Sequence, residues 1–247
     1  MRLRASAAAF LAVTAVLPAL AATGSAHAAQ VDVRWGMTAR HSTVAPLAGP
    51  ARLRLSGPWR SVAGRRGKAV SFAPSRQGTR RGLGTATRAG VGNPGRQPFA
   101  VAATIRSPPP LSIPDYSPNV VQKGLWGDRG QWKISTHRRR GHAVASCRLK
   151  GRAGADLVID RRSTPLDNGR WHTVTCWRTR GRYGITVDGV STSRRGVLGI
   201  ITGSRPITTG SKHPGAGISD QFRGAVDCIV VVTGSRSRQL AARRTPC

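Results

Sequence analysis

The chain has 247 residues, with 40 Lys and Arg against nine acids, for a formal charge of +31 at pH 7. All nine acids are Asp, so an active site built on a pair of glutamates is excluded. Most cations have no acidic partner available. That excess fits attraction to a polyanion, and it equally fits the arginine-rich usage of a GC-rich genome, since 35 of the 40 are Arg.

At the N-terminus, Arg2 and Arg4 precede an apolar stretch, Ala5 to Ala22, interrupted by Pro18. Ala26-His27-Ala28 then supplies the small-x-small pattern of a cleavage site, so residues 1–28 are expected to be a removable secretory signal peptide. Removing 28 residues leaves 219, enough for one large domain with a core, expected over residues 29–232 and followed by a tail at 233–247. No other stretch is long enough to span a bilayer; Ile229 to Val232 is apolar but short. The expected destination is extracellular, with the protein secreted.

Strand candidates follow at short intervals. Val31–Trp35, Ala51–Leu55 and Lys68–Phe72 are separated by Gly, Pro and Arg clusters. Residues 73–97 carry the weakest pattern and are read as a loop with one edge strand. Phe99–Arg106 is long enough for a central strand and is stopped by Ser107-Pro108-Pro109-Pro110, because proline cannot donate to a ladder. Asn119–Gly124, Gln131–Ser135, Ala143–Leu149 and Asp156–Asp160 come next. Trp171–Arg178 has a strict period of two: Val174 and Cys176 share one face, Trp171, Thr173, Thr175 and Trp177 the other. Gly184–Val187 runs into Asp188-Gly189, a hairpin-turn pair. Phe222–Val232 is apolar on both faces and is therefore expected to be central. No long apolar stripe at helical spacing occurs. The pattern predicts an all-β sandwich.

Cys147, Cys176, Cys228 and Cys247 are the four cysteines. An even count in an exported chain predicts two disulfides, with three possible connectivities. No pair has the CxxC spacing of a zinc site.

Several segments resemble laminin-G-like domains of the concanavalin A-like lectin/glucanase superfamily. They are Lys68–Phe72 with Pro98–Val101, Val120–Gly124, Asp167–Val174, Val187–Gly189 and Phe222–Asp227. These correspond in order and spacing to that family's motifs, among them D-G-x-W-H-x-V, V-D-G and F-x-G-x-I-D. The resemblance spans roughly residues 31–232. It implies a jelly-roll sandwich of two antiparallel sheets, with ligand or carbohydrate binding as the usual role. Through its topology it implies the pairing Cys147–Cys176, taken to join neighbouring strands, and Cys228–Cys247, pinning the tail to the last strand. Within the motifs, Trp171 is expected to cover the core or a sheet face, and His172 to sit in a satisfied hydrogen bond. Asp188-Gly189 forms a turn, and Asp227 accepts hydrogen bonds from a neighbouring loop.

The superfamily's hydrolases need two carboxyl groups about 5 Å apart. Asp156 and Asp160 would share a strand face here, but about 13 Å apart by strand rise. No Gly-x-Ser-x-Gly, HExxH, phosphate-loop or dinucleotide motif occurs. His137 and His142, around Arg138-Arg139-Arg140, are read as solvated loop residues. A calcium site is the family's common accessory, and the loop residues Asp128 and Asp220 are its candidates; no other cofactor is expected. The expected function is non-catalytic binding of a carbohydrate or cell-wall polymer. Trp126, Trp132 and Trp177 would stack on sugars, and Arg129 would meet anionic groups. The alternative is an adhesive protein that binds extracellular polyanions by charge; a hydrolase is the minor alternative. Export and the lack of a nucleic-acid motif argue against a nucleic-acid partner.

Overall fold

Alternating burial turns nearly every short apolar run into a strand. The computed structural model describes residues 28–72, 81–108, 117–152, 156–161, 164–213, 220–245 and 247. The expected signal peptide up to residue 27, residues 73–80 of the expected loop, and Pro109-Pro110 of the proline stop lie outside them. From the N-terminus come β1 (Gln30–Arg40), β2 (Thr43–Ala48), β3 (Leu53–Ser56), β4 (Trp59–Ala63), β5 (Lys68–Phe72), β6 (Leu83–Ala86), β7 (Phe99–Arg106) and β8 (Asn119–Lys123). Next are β9 (Gln131–Arg139), β10 (His142–Lys150), β11 (Asp156–Arg161), β12 (His172–Arg178), β13 (Arg182–Val187) and β14 (Val190–Arg195). The chain closes with β15 (Ile207–Thr209), β16 (Ala225–Thr233) and one helix, α1 (Ser237–Arg244).

The strands form two antiparallel layers. The front layer runs β11-β10-β9-β8-β15-β6-β3-β2, and the back layer β1-β16-β7-β12-β13-β14, with β5 paired to β16 and β4 to β5. The β1–β2 hairpin passes from one layer to the other. Its register shifts between Arg34 and Trp35 and between Trp35 and Ala39, the local irregularity that lets a ribbon bend. β10 and β11 pack against β13 with no shared ladder, so the layers face each other as a sandwich. This is a jelly-roll type of β-sandwich built from antiparallel strands. Trp35, Phe72, Phe99, Trp132, Ile134 and Leu149 fill the space between the layers. The Trp35 indole N–H donates to the Ala51 carbonyl at 2.7 Å, so the largest core side chain leaves no unpaired donor.

The disulfides are Cys147–Cys176 and Cys228–Cys247. The first corrects one expectation: β10 and β12 are not ladder neighbours. Cys147 points inward from the front layer and Cys176 inward from the back layer, so the bond crosses the core. The edge-strand expectation for 73–97 is also corrected. β6 is an inner strand between β3 and β15. Its Gly84 is small because an added Cβ would lie 2.7 Å from Thr209 Cγ2.

β16 is central, between β1 and β7. Its inner face (Val226, Ile229, Val231) joins the main core. Its outer face (Cys228, Val230, Val232) joins a second apolar cluster with Ala100, Ala102, Trp177 and Ala241 beneath α1. The helix has no side-chain cap and no acid in its first turn, and Arg236 before it is left-handed at φ 59. So short a helix is held by packing and by the Cys228–Cys247 bond rather than by its own propensity. No helix among the described residues is long and apolar enough to cross a membrane.

Replacing Cys228 and Cys247 together by Ala is expected to lower stability by about 3 kcal/mol in denaturant titration, the chain-entropy value for a short loop. It should also open the helix to limited proteolysis before global unfolding. The Cys147→Ala/Cys176→Ala pair should cost about 3–4 kcal/mol without that early cleavage.

Candidate functional site

Because Trp132, Ile134, Cys147 and Leu149 point into the core, the residues between them point out. The ladder register then lines up one outward row across seven front strands, polar at Arg54, Thr85, Thr208, Gln122, Lys133 and Arg148 and ending at the exposed Val158. Two adjoining hollows of about 260 and 210 Å³ lie over this row and share Gln122, Leu125, Lys212 and His213.

The β8–β9 loop supplies one wall. Gly124 opens it at φ +79, where a Cβ would lie 2.4 Å from the Gly130 carbonyl. Asp128 closes it by accepting from the Leu125 N–H at 2.8 Å, and Arg205 holds Asp128 at 2.9 Å. The loop presents Trp126, 56% exposed, against the hollow. The Arg148 guanidinium lies 4.1 Å and the Lys150 amine 4.6 Å from its ring centroid. Lys150 also donates to the Trp126 carbonyl. Cations on an indole face hold the ring in place.

Charge in the hollow is uneven. Arg148 donates twice to Asp156, at 2.9 and 2.7 Å. Lys212 pairs with Asp220 at 2.6 Å, and Asn119 donates to the same carboxylate at 3.2 Å. Lys133 has neither a hydrogen bond nor an ion pair at 4 Å or less among the described residues. Burial, reinforced by Arg148, pushes its amine down to about 8. The Asn119 Oδ1 and Gln131 Oε1 oxygens of the same hollow are buried without a donor. Lys123, on the inward side of β8, is different: it donates to the Ala89 carbonyl and, at 2.7 Å, to that of Arg205, tying two loops to the sheet. Burial puts it at about 8 as well.

Two of the three aromatic candidates are corrected. Trp132 is fully buried; its N–H donates to Gly92 at 2.9 Å and its ring lies 6.4 Å from Phe99. Alternation with Lys133 forces it inward. Trp177 is 4% exposed on the outer face of the back layer, packed in the cluster that includes Ala241 of α1, with Arg238 4.7 Å from its ring. The covering helix makes a predicted outward face into a second core. Arg129 is exposed in the β8–β9 loop but does not line the hollow. Asp128 and Asp220 do not fit a calcium site. Each carboxylate is already engaged by a cation and an N–H, and no group of three or more His, Cys, Asp or Glu gathers among the described residues.

The motif residues make contacts within the fold. Trp171 is half-buried with Arg106 4.9 Å from its ring. His172 lies between Asp188 Oδ2, 2.6 Å from Nδ1, and Asn168 Oδ1, 2.8 Å from Nε2. Asp188 and Gly189 make the turn at φ 48 and φ 85. Asp227 accepts from the Arg65 N–H at 3.1 Å, while burial raises its carboxyl. His137 and His142 are strand residues rather than loop residues, since β9 and β10 run further than their apolar segments; they lie 3.4 and 3.5 Å from Asp160 and Asp167. Missed in the sequence were Gln122, Lys133, Arg148 and Lys212. The signal for the first three was present as polar positions alternating with core positions, but their alignment across strands needed the register.

No family model matches the chain, and no curated protein sequence matches it. Among solved structures it is similar to the binding domain of botulinum neurotoxin serotype G, with TM-score 0.63 and 14% identity, over 87% of this chain and 50% of that one. The chain thus spans half the length of that relative. It is also similar to domain 4 of a GH43 extracellular arabinanase from Geobacillus stearothermophilus, solved in complex with arabinotriose. There the TM-score is 0.57 and the identity 14%, over 87% of this chain and 98% of that one. A third is the Trypanosoma rangeli sialidase, at 0.54 and 14%, over 86% of this chain and 32% of that one. At this identity the likeness establishes the β-sandwich fold.

Trp132→Ala is expected to cost about 3–5 kcal/mol of stability, as for a large core aromatic, and Trp126→Ala less than about 1 kcal/mol, both read by denaturant unfolding. Lys123 and Lys133 titrate near 8 when folded and higher when unfolded, so between those values the unfolded chain binds more protons. Stability should therefore rise as pH increases from about 8 to about 10, and the rise should shrink in Lys133→Met.

Proposed function

We propose that the chain is a secreted, non-catalytic, laminin-G-like module that binds an extracellular carbohydrate or cell-wall polymer in the hollow beside Trp126. The observation carrying this reading is a single exposed indole, clamped by Arg148 and Lys150, at the edge of a polar hollow on a β-sheet. An aromatic face beside hydrogen-bonding side chains suits a sugar ring, which is apolar on its faces and polar at its rim. The arabinotriose bound to the arabinanase domain is in keeping with a glycan ligand on this fold.

Binding without hydrolysis is supported by the carboxylates. The chain has no Glu. Asp156 is committed to Arg148, and Asp160 faces His137. Secretion is supported by two disulfides and by the leader-like N-terminus. Exposed arginines are spread over both layers and their turns, such as Arg54, Arg60, Arg139, Arg182 and Arg194. Such scatter favours arginine-rich composition over one dedicated polyanion face.

Retention on a panel of immobilised wall and extracellular glycans, at about 0.05 and about 0.5 M salt, tests the proposal. The expected result is a glycan whose retention survives the higher salt and falls about tenfold in Trp126→Ala, the loss of roughly 1.4 kcal/mol of stacking. Retention that collapses with salt and ignores Trp126 would favour charge-driven adhesion.

A further inference from the structure

We propose that the hollow beside Trp126 selects a sugar that carries a carboxylate, a uronic acid unit, with the Lys133 amine as the carboxylate anchor. This rests on the glycan-binding reading above and narrows it to one ligand class.

Three observations carry it. First, the charges in the hollow do not balance. Lys133, Arg148 and Lys212 face Asp156 and Asp220, and both carboxylates are consumed by Arg148 and Lys212. Of the Lys and Arg side chains lining the hollow, Lys133 is the one with no carboxylate within 4 Å among the described residues, with Asp220 and Asp156 acting on it from further away.

Second, Lys133 is unlike the other deeply placed cations of the fold. Lys123 donates to two backbone carbonyls. Arg178 donates to the carbonyls of Gln97 at 3.0 Å and Gly199 at 2.9 Å, and also to that of Gly95. Lys133 has no hydrogen bond among the described residues, although burial costs its amine enough to bring it down to about 8. Lys133 is half-buried, and a cation partly withdrawn from water with no acceptor gains more from a ligand anion than a freely hydrated one does. A neutral sugar would desolvate the amine further and add nothing in return.

Third, the hollow has unused acceptors as well. Asn119 Oδ1 and Gln131 Oε1 have no donor, and Gln131 shares the outward face of β9 with Lys133. Hydroxyl groups are the donors they lack. One anion beside several hydroxyls describes an acidic sugar rather than a bare inorganic ion. The Lys133 amine suits a carboxylate as its acceptor.

The test uses the full chain on affinity gels containing polygalacturonate or polyglucuronate, each compared with its carboxyl-reduced, neutral counterpart and with a sulfated neutral glucan, at about 0.15 M salt. The expected result is retardation by a polyuronate, little by its reduced form, and a loss of about tenfold or more in Lys133→Met, as for a charge-assisted hydrogen bond. Arg194→Gln, which removes one exposed charge from the back layer, should change retardation less than twofold, and thermal unfolding should show both variants folded. Retention should also weaken as pH rises through about 8, where the amine loses its proton. Equal losses in the two variants would overturn the proposal in favour of diffuse charge. Stronger retardation by the sulfated glucan would overturn the carboxylate assignment. If a reduced polymer binds as well as its parent and still depends on Trp126, only the carboxylate inference falls. If no glycan binds, the glycan-binding reading falls with it.

Discussion

The Cys147–Cys176 bond crosses the core from the front layer to the back, and the display of the front surface depends on it. Both sulfurs are fully buried. In a strand the next residue points the opposite way, so anchoring Cys147 inward turns Arg148 outward. The β9–β10 register then places Lys133 beside Arg148, and the β8–β9 register places Gln122 beside Lys133. The bond thus fixes which face of β10 turns outward, and the ladder registers set the order of polar groups across it. The Cys228–Cys247 bond has a comparable effect on the other side, where it brings a poorly capped helix down on the outer face of β7 and β16.

Shortage of acid shapes the rest. Nine aspartates cannot neutralise 40 basic side chains, so the buried cations rely on backbone carbonyls. Lys123 and Arg178 each pull loop carbonyls toward the sheet, which gives irregular segments fixed positions without carboxylates. The aspartates that remain have local duties: Asp128 shapes the Trp126 loop, Asp188 holds His172 and the Thr173 N–H, and Asp227 fastens the β4–β5 turn. Among the described residues, no carboxylate lies within 4 Å of the Lys133 amine, and Asp220 and Asp156 act on it from further away.

The Trp126 loop and the Lys133 row come from different layers of organisation. Gly124 and Asp128 set the loop through local backbone geometry and a short-range hydrogen bond. The row exists only because strands distant in sequence adopt one register. Their meeting makes a surface with an aromatic plane, fixed cations and unpaired acceptors, the features on which the proposed sugar selection rests.

The sequence by itself determined part of the strand content: the apolar run Phe99–Arg106 and the alternation at Lys68–Phe72 reproduce β7 and β5 residue for residue, whereas the short or exposed β2, β4, β14 and β15 left no readable pattern. It also determined the Asp188-Gly189 turn, whose positive φ values suit those residue types. The central place of β16 was legible because apolar side chains occupied both of its faces. What covers each face was decided only by the tertiary structure. Trp132 and Trp177 have similar local patterns to an exposed aromatic, yet one meets Phe99 across the core and the other joins the cluster closed by α1. Period-two alternation separates two faces but does not say what opposes either one. The same limit hid Lys133: a lysine on an outward face is ordinary in sequence, and only the neighbours at its register show that its amine makes no direct contact with a carboxylate.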